Sequence, residues 1–179
     1  MAIYHLEVKI LKKEKAYNYF KRNFKTKEAL YQKDYIFQNI DNLKFWEIAC
    51  ENEQINGRIF RAVELSLPYE LSLDENIKLV NEFVETLLKK RHYYSLIIKV
   101  SKNNLKNIFA LIVFSERIID DIDRPLEQFF HYYNRHNPHK GGARKDPKWR
   151  EKSTLYETRQ LWEEILNKYL KINNFNEIW

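Results

Sequence analysis

The sequence predicts an α+β domain, an antiparallel β-sheet with flanking helices. Three observations carry this. Period-two alternation runs through Arg58–Leu67, with Ile59, Arg61, Val63, Leu65 and Leu67 on one face and Phe60, Ala62, Glu64 and Ser66 on the other. Two more strand-like runs, Tyr94–Val100 and 107–114, flank Lys102-Asn103-Asn104, a hairpin signal. Between the first strand and this pair lies an amphipathic stripe, Ile77, Val80, Phe83, Val84, Leu87 and Leu88, at helical spacing.

In chain order, residues 3–10 read as a first strand, not as a signal peptide. Residues 14–37, with Ala16, Tyr17, Phe20, Phe24, Leu30 and Tyr31 among charges, read as helical, in one or two pieces. Asp41-Asn42 caps a helix over 41–54, and Asn56-Gly57 turns into the 58–67 strand, which Pro68 ends. Ser72-Leu73-Asp74-Glu75 is a capping box for the next helix, and Lys89-Lys90-Arg91 suits its C-terminus. His92 is assigned to that helix end. After the hairpin come a short aromatic helix at 126–133, an irregular basic loop at 134–150 and a last helix at about 154–171. Residues 1–172 form one domain and 173–179 a tail, whose Trp179 is left without a role.

Composition narrows the class. With 179 residues, 44% of them hydrophobic, the chain builds one core. Three glycines and four prolines exclude collagen-like and low-complexity chains. The single Cys50 excludes a disulfide framework or a zinc ribbon and fits a reducing, cytoplasmic setting. No apolar run approaches about 18 residues, so no membrane span or membrane partner is expected.

The charge of +6 is uneven. Residues 9–27 carry +7 and residues 124–152 carry +5, leaving an acidic remainder. Two basic blocks point to a polyanion. In the second block, Tyr132, Tyr133 and Trp149 are interleaved with Arg135, Lys140, Arg144, Lys145 and Arg150, rings for bases beside cations for phosphates. Lys12, Lys13, Lys15, Lys21, Arg22 and Lys25 are expected to line the other side of the same cleft.

Several residues together resemble the MobA/MobL plasmid relaxases. These are Met1-Ala2-Ile3-Tyr4-His5-Leu6, Asn56-Gly57-Arg58 with Val63-Glu64-Leu65-Ser66-Leu67-Pro68, and Ser115-Glu116-Arg117. Further along they are Asp120-Asp121-Ile122-Asp123-Arg124-Pro125, Gln128-Phe129-Phe130, Tyr133-Asn134 and Lys140-Gly141-Gly142-Ala143. The resemblance implies a relaxase (HUH endonuclease)-like fold. It also implies DNA strand transfer through a tyrosine, with a His-x-His pair and a third histidine holding a divalent metal.

Against that pattern, Phe109 and Leu111 stand at the His-x-His positions and Lys99 at the third. Neither Phe nor Leu offers a metal donor. Phe24 aligns with the nucleophilic tyrosine and lacks the attacking oxygen, while a small slip offers Tyr17, Tyr19 or Tyr31. Of two acidic positions on the 58–67 strand, one holds Ala62 and one Glu64.

Other candidates read as bland. His131, His136 and His139 are solvated histidines of a basic loop, and His5 is a strand residue facing a polar neighbour. Glu116, Asp120, Asp121 and Asp123 form a solvated run.

The expected function is a catalytically defective relaxase-like protein of a mobile element. It binds single-stranded or hairpin DNA, or RNA, without nicking it and without a cofactor. One alternative is a protein-binding inhibitor of a host defence nuclease, of anti-CRISPR type. Another is a metal-dependent nickase rebuilt on Glu64, Glu116 or Asp120.

Overall fold

A computed structural model describes residues 5–177. Five strands form one antiparallel sheet: β1 (Leu6–Lys12), β2 (Ala29–Tyr35), β3 (Arg58–Leu67), β4 (Tyr94–Val100) and β5 (Ile108–Phe114). Their order is β1-β3-β5-β4-β2. The helices are α1 (Lys13–Phe24), α2 (Asn42–Asn52), α3 (Leu73–Leu88), the single-turn α4 (Leu126–Phe129) and α5 (Lys152–Ile172).

The sheet separates two cores because its strands alternate. Val63, Leu65, Leu96, Ile98 and Ile112 pack with Phe83 of α3 and Trp162 of α5. Phe60, Ala62, Ile97, Leu111 and Val113 pack with Phe20 and Phe24 of α1 and Trp46 of α2. The sequence signals act as expected at several points. Ser72 accepts a hydrogen bond from the Glu75 amide, and Asp41 accepts one from the Lys44 amide. Antiparallel pairing joins β4 and β5.

The structure corrects four expectations. The 14–37 segment is helical only to Phe24; Ala29–Tyr35 is a strand at the sheet edge, paired with β4 alone. Its half-buried Tyr31, Lys33 and Tyr35 alternate with exposed Leu30, Gln32 and Asp34, and the charges among them hid the period. The aromatic helix at 126–133 shortens to one turn, after which Gly141 and Gly142 let the returning loop pack on it. A Cβ on Gly142 would lie 2.0 Å from the His131 carbonyl oxygen, and one on Gly141 would lie 2.4 Å from the Asn134 nitrogen.

His92 is buried rather than at a helix surface. Its Nδ1–H donates to the Arg117 carbonyl at 3.0 Å, and Trp149 Nε1 donates to its Nε2 at 3.3 Å. Trp149 is therefore core, 5% exposed, and offers no face to a base. The first strand begins at Leu6, its start at residues 3 and 4 lying outside the described residues with Trp179. Among the described residues, no helix is long and apolar enough to cross a membrane.

Candidate nucleic-acid interface

The face of the sheet under α1 gathers the relaxase-like positions. Strand register sets Glu7 opposite Glu64, Glu64 opposite Leu111, and Leu111 opposite Ile97. One row along, Ser66 is opposite Phe109 and Phe109 opposite Lys99. Phe109, Leu111 and Lys99 thus share one face of two neighbouring strands, as a clasp around one ion requires. Their chemistry does not fit a divalent cation. Two carry no donor atom, and the Lys99 amine donates to Asn23 Oδ1 at 2.9 Å and to the Asn23 carbonyl at 3.3 Å. Burial pushes the Lys99 pKa down, against the opposing pull of Glu64 and Glu28.

Phe24 is 2% exposed and stacks on Phe20 with ring centroids 4.3 Å apart. Among the tyrosines that a slip in alignment offers, Tyr31 accepts a hydrogen bond from Asn81, a residue of α3 on the opposite face. Tyr19 instead packs its ring 6.0 Å from Phe60 on the relaxase-like face. Burial, with help from the charges of Glu64 and Glu7, pushes its hydroxyl up to about 12.

His5, Glu7 and Glu64 bring three ligand-type atoms within 4.8 Å of one another. This cluster was not visible in the sequence, where Glu64 is more than fifty residues from the other two. The period-two spacing of His5 and Glu7 was the only available signal. Alanine at 62 is packed into the core under α1.

The residual acid Glu116 is not available for such chemistry. It is 2% exposed, and Arg58 Nε and Arg61 Nε donate to its two oxygens at 2.6 and 2.8 Å. These partners hold its carboxyl below the usual range despite its burial. Asp120 is paired with Arg124 at 2.6 Å. His131 contacts Asn52 at 3.1 Å, and neither His136 nor His139 joins a metal-type cluster among the described residues.

The predicted cations fall into two groups. Lys13 is engaged at the C-terminus of α2, donating to the carbonyls of Glu53 and Glu51 at 2.8 and 3.3 Å. Lys25 reaches Asn42 and Asp41 at 3.1 and 3.4 Å. Lys145 pairs with Glu53 at 3.3 Å and donates to the Arg58 carbonyl at 3.0 Å. These three are structural. Lys12, Lys21, Arg135, Lys140, Arg144 and Arg150 are exposed, and no side-chain hydrogen bond or ion pair holds them among the described residues. Arg22, also exposed, lies 5.8 Å from the Tyr19 ring centroid.

The two basic blocks do not line one cleft. Arg22 borders a pocket of about 330 Å³ with Asn23, Lys99, Lys102 and Phe109, at the C-terminal end of α1. Tyr132, Tyr133, Arg144, Lys145 and Arg150 border another of about 440 Å³ with Arg58 and the 53–57 turn. Lys13, whose amide donates to the Gly57 carbonyl, ties the opposite end of α1 to that turn. The twelve residues of α1 therefore separate the two pockets by about 18 Å.

Arg117 organises the second pocket, a role the sequence did not reveal. It is 3% exposed, and its NH2 donates to both oxygens of Glu53 at 3.0 and 2.8 Å. It also donates to the carbonyls of Phe130, His131 and Ala143. One guanidinium thus ties the entry and the middle of the basic loop to the end of α2.

Known proteins are similar to this chain in sequence and in fold. The MobA/MobL family model matches residues 3–178. Mobilization protein A of Escherichia coli is 38% identical over 128 residues, 71% of this chain and 18% of that protein. The 43 kDa relaxation protein of Salmonella typhimurium is 32% identical over 135 residues, 72% of this chain and 36% of that protein. The chain therefore spans about a fifth and about a third of these curated relatives.

A structure solved for the molecular basis of vancomycin resistance transfer in Staphylococcus aureus superposes with a TM-score of 0.68 at 25% identity. It covers 98% of this chain and 96% of that one. The conjugative relaxase TrwC in complex with oriT DNA, metal-bound, gives 0.59 at 12% identity, over 96% of this chain and 71% of that one. The relaxase-like sheet and the match along nearly the whole chain agree: this protein belongs to the MobA/MobL family.

Proposed function

We propose that this chain binds single-stranded or hairpin nucleic acid in the manner of a relaxase domain and does not cut it. The observation that carries the reading is the occupancy of one sheet face. Phe109 and Leu111 share it with Lys99, whose ammonium lies 5.3 Å from the Phe109 ring centroid. An amine held by Asn23 and a phenyl ring stand where the family resemblance puts metal-binding imidazoles. With Phe24 in the core, the aligned nucleophile position has no oxygen to attack phosphorus. Binding does not need either group. It needs exposed cations, and Lys12, Lys21, Arg22, Arg135, Lys140, Arg144 and Arg150 supply them. The TrwC structures contain oriT DNA, which supports a DNA strand as the ligand.

The test is fluorescence anisotropy with labelled single-stranded, hairpin and duplex DNA and structured RNA across a salt series. Each phosphate contacted contributes about 0.7 to the log–log salt slope for a single strand. Arg144→Glu with Arg150→Glu is expected to lower affinity and to reduce the slope by about 1.4. Absence of binding at low salt overturns the reading and redirects the search to a protein partner.

A second reading has one observation in its favour, the His5–Glu7–Glu64 cluster beside Tyr19. A nickase rebuilt there uses other donors than the aligned positions and Tyr19 as nucleophile. Metal-dependent cleavage of a single strand, with a covalent adduct lost in Tyr19→Phe, establishes it; uncut DNA across Mg²⁺ and Mn²⁺ removes it.

A further inference from the structure

We propose that the pocket between the 53–58 turn and the 132–150 loop is a nucleoside-phosphate site, taking one unpaired nucleotide of a strand or a free nucleotide. The inference deepens the nucleic-acid reading above and rests on it for the strand case.

The pocket has a volume of about 440 Å³, within the range of small-ligand sites. Five of its lining residues are cationic, Arg58, Arg117, Arg144, Lys145 and Arg150, against one acid, Glu53. The inner cations are already matched. Arg117 and Lys145 hold Glu53, and Arg58 holds Glu116. Arg144 and Arg150 differ: both are exposed and have no ion-pair partner among the described residues. A closed ion-pair floor thus carries two unmatched guanidinium groups at its rim. Guanidinium is the side chain whose planar fork matches phosphate oxygens.

The second recognition element is aromatic. Tyr132 is 72% exposed although it lines the pocket, and Ile55 on the opposite wall is 85% exposed. A ring and an aliphatic side chain facing a cationic rim suit a base above its own phosphate. A bare inorganic anion has no use for the apolar half of the site.

The loop bearing these groups is built to hold still. Arg117 bonds the Phe130 and His131 carbonyls just before it and the Ala143 carbonyl within it, Arg124 donates to the Gly141 and Pro138 carbonyls, and Gly142 admits no Cβ. Such preorganisation lowers the ordering cost of binding. The site is also separate from the sheet face with Phe109. Arg58 opens β3 and Ser66, opposite Phe109, lies near its other end, about 25 Å away along the strand.

The experiment titrates the full chain with dAMP, deoxyribose 5-phosphate and inorganic phosphate by NMR, and with labelled oligothymidylate by anisotropy. In the wild type, dAMP is expected to bind at least about fivefold tighter than either base-free phosphate, the low end of a stacking contribution. Tyr132→Ala, an exposed substitution, removes that margin and leaves phosphate binding unchanged. Arg144→Ala with Arg150→Ala weakens all three. Displacement of the oligonucleotide by dAMP assigns the pocket to a strand nucleotide; dAMP binding without displacement assigns it to a free nucleotide.

The proposal is overturned if dAMP binds no tighter than phosphate, or if Tyr132→Ala leaves the margin intact. An oligonucleotide that binds while the pocket fails this test leaves the nucleic-acid reading standing. Loss of all strand binding defeats that reading, and the dAMP titration still judges the pocket.

Discussion

The ammonium of Lys99 lies 5.3 Å from the centre of the Phe109 ring and donates to Asn23 Oδ1 at 2.9 Å. A cation–π contact thus links neighbouring strands at the centre of the sheet, where the family resemblance expects ion ligands. If the scaffold there is retained, donors put back at the same Cα positions converge again. Lys99→His with Phe109→His and Leu111→His is expected to gain Ni²⁺ or Mn²⁺ binding. At a metal concentration of about 100 times Kd, the gain in stability is about 2.7 kcal/mol over the same variant without metal. Thermal unfolding with and without metal checks it; an unchanged midpoint shows that the three positions do not converge.

Phe24→Tyr tests the position that aligns with the family's nucleophilic tyrosine. Phe24 is buried against Phe20, so the added hydroxyl enters an apolar environment. A destabilisation of about 1–3 kcal/mol is expected in urea unfolding, with no nicking gained. Cleavage by this variant would place the reactive position at 24 after all.

His92 makes stability depend on acid pH. Burial depresses its pKa from 6.5 to about 4, while the Arg117 carbonyl and Asp146 pull upward and Lys148 and Arg91 push down. Its Nε2 accepts from Trp149, a bond only the neutral ring makes, while its Nδ1–H donates to the Arg117 carbonyl in either protonation state. The unfolded chain takes up the proton below about pH 6.5 and the folded chain only near 4. Stability is therefore complete above about pH 6.5 and falls as the pH drops toward 4, by about 3 kcal/mol from this group. Urea titrations at several pH values measure the slope; His92→Gln is expected to flatten it within that window.

Arg117→Ala leaves Glu53 buried with only Lys145 as a charged partner and releases the Phe130, His131 and Ala143 carbonyls. Loss of one member of such a buried pair costs about 3–5 kcal/mol. Equilibrium unfolding gives the value. Proteolysis is expected to cut the variant first within residues 132–145, since the tethers holding that loop are gone.

Much of the fold was legible because its signals are local. The alternation of Arg58–Leu67, the Ser72–Glu75 cap and the Lys102-Asn103-Asn104 turn each concern residues within a few positions of one another. The edge strand Ala29–Tyr35 was not legible. A strand paired on one side only and half solvated carries polar residues on both faces, and its Lys33 and Asp34 read as a charged helix. Trp149 misled for a related reason. Among basic residues it looks like a stacking ring, but the 3-10 turn Pro147–Arg150 directs it onto His92 and Phe114.

By itself the sequence determined the α+β class, the family resemblance and the residue types at the relaxase-like positions, because strand and helix periods and side-chain identity are written locally. Only the tertiary structure decided which charges are available. Lys13, Arg117 and Lys145 reach Glu53 or Arg58 across 40, 64 and 87 residues of chain. Arg144, in the same basic run as Lys145, has no such partner among the described residues. Whether a cation is matched inside the fold or left for a ligand depends on what the folded chain brings within a few ångströms of it.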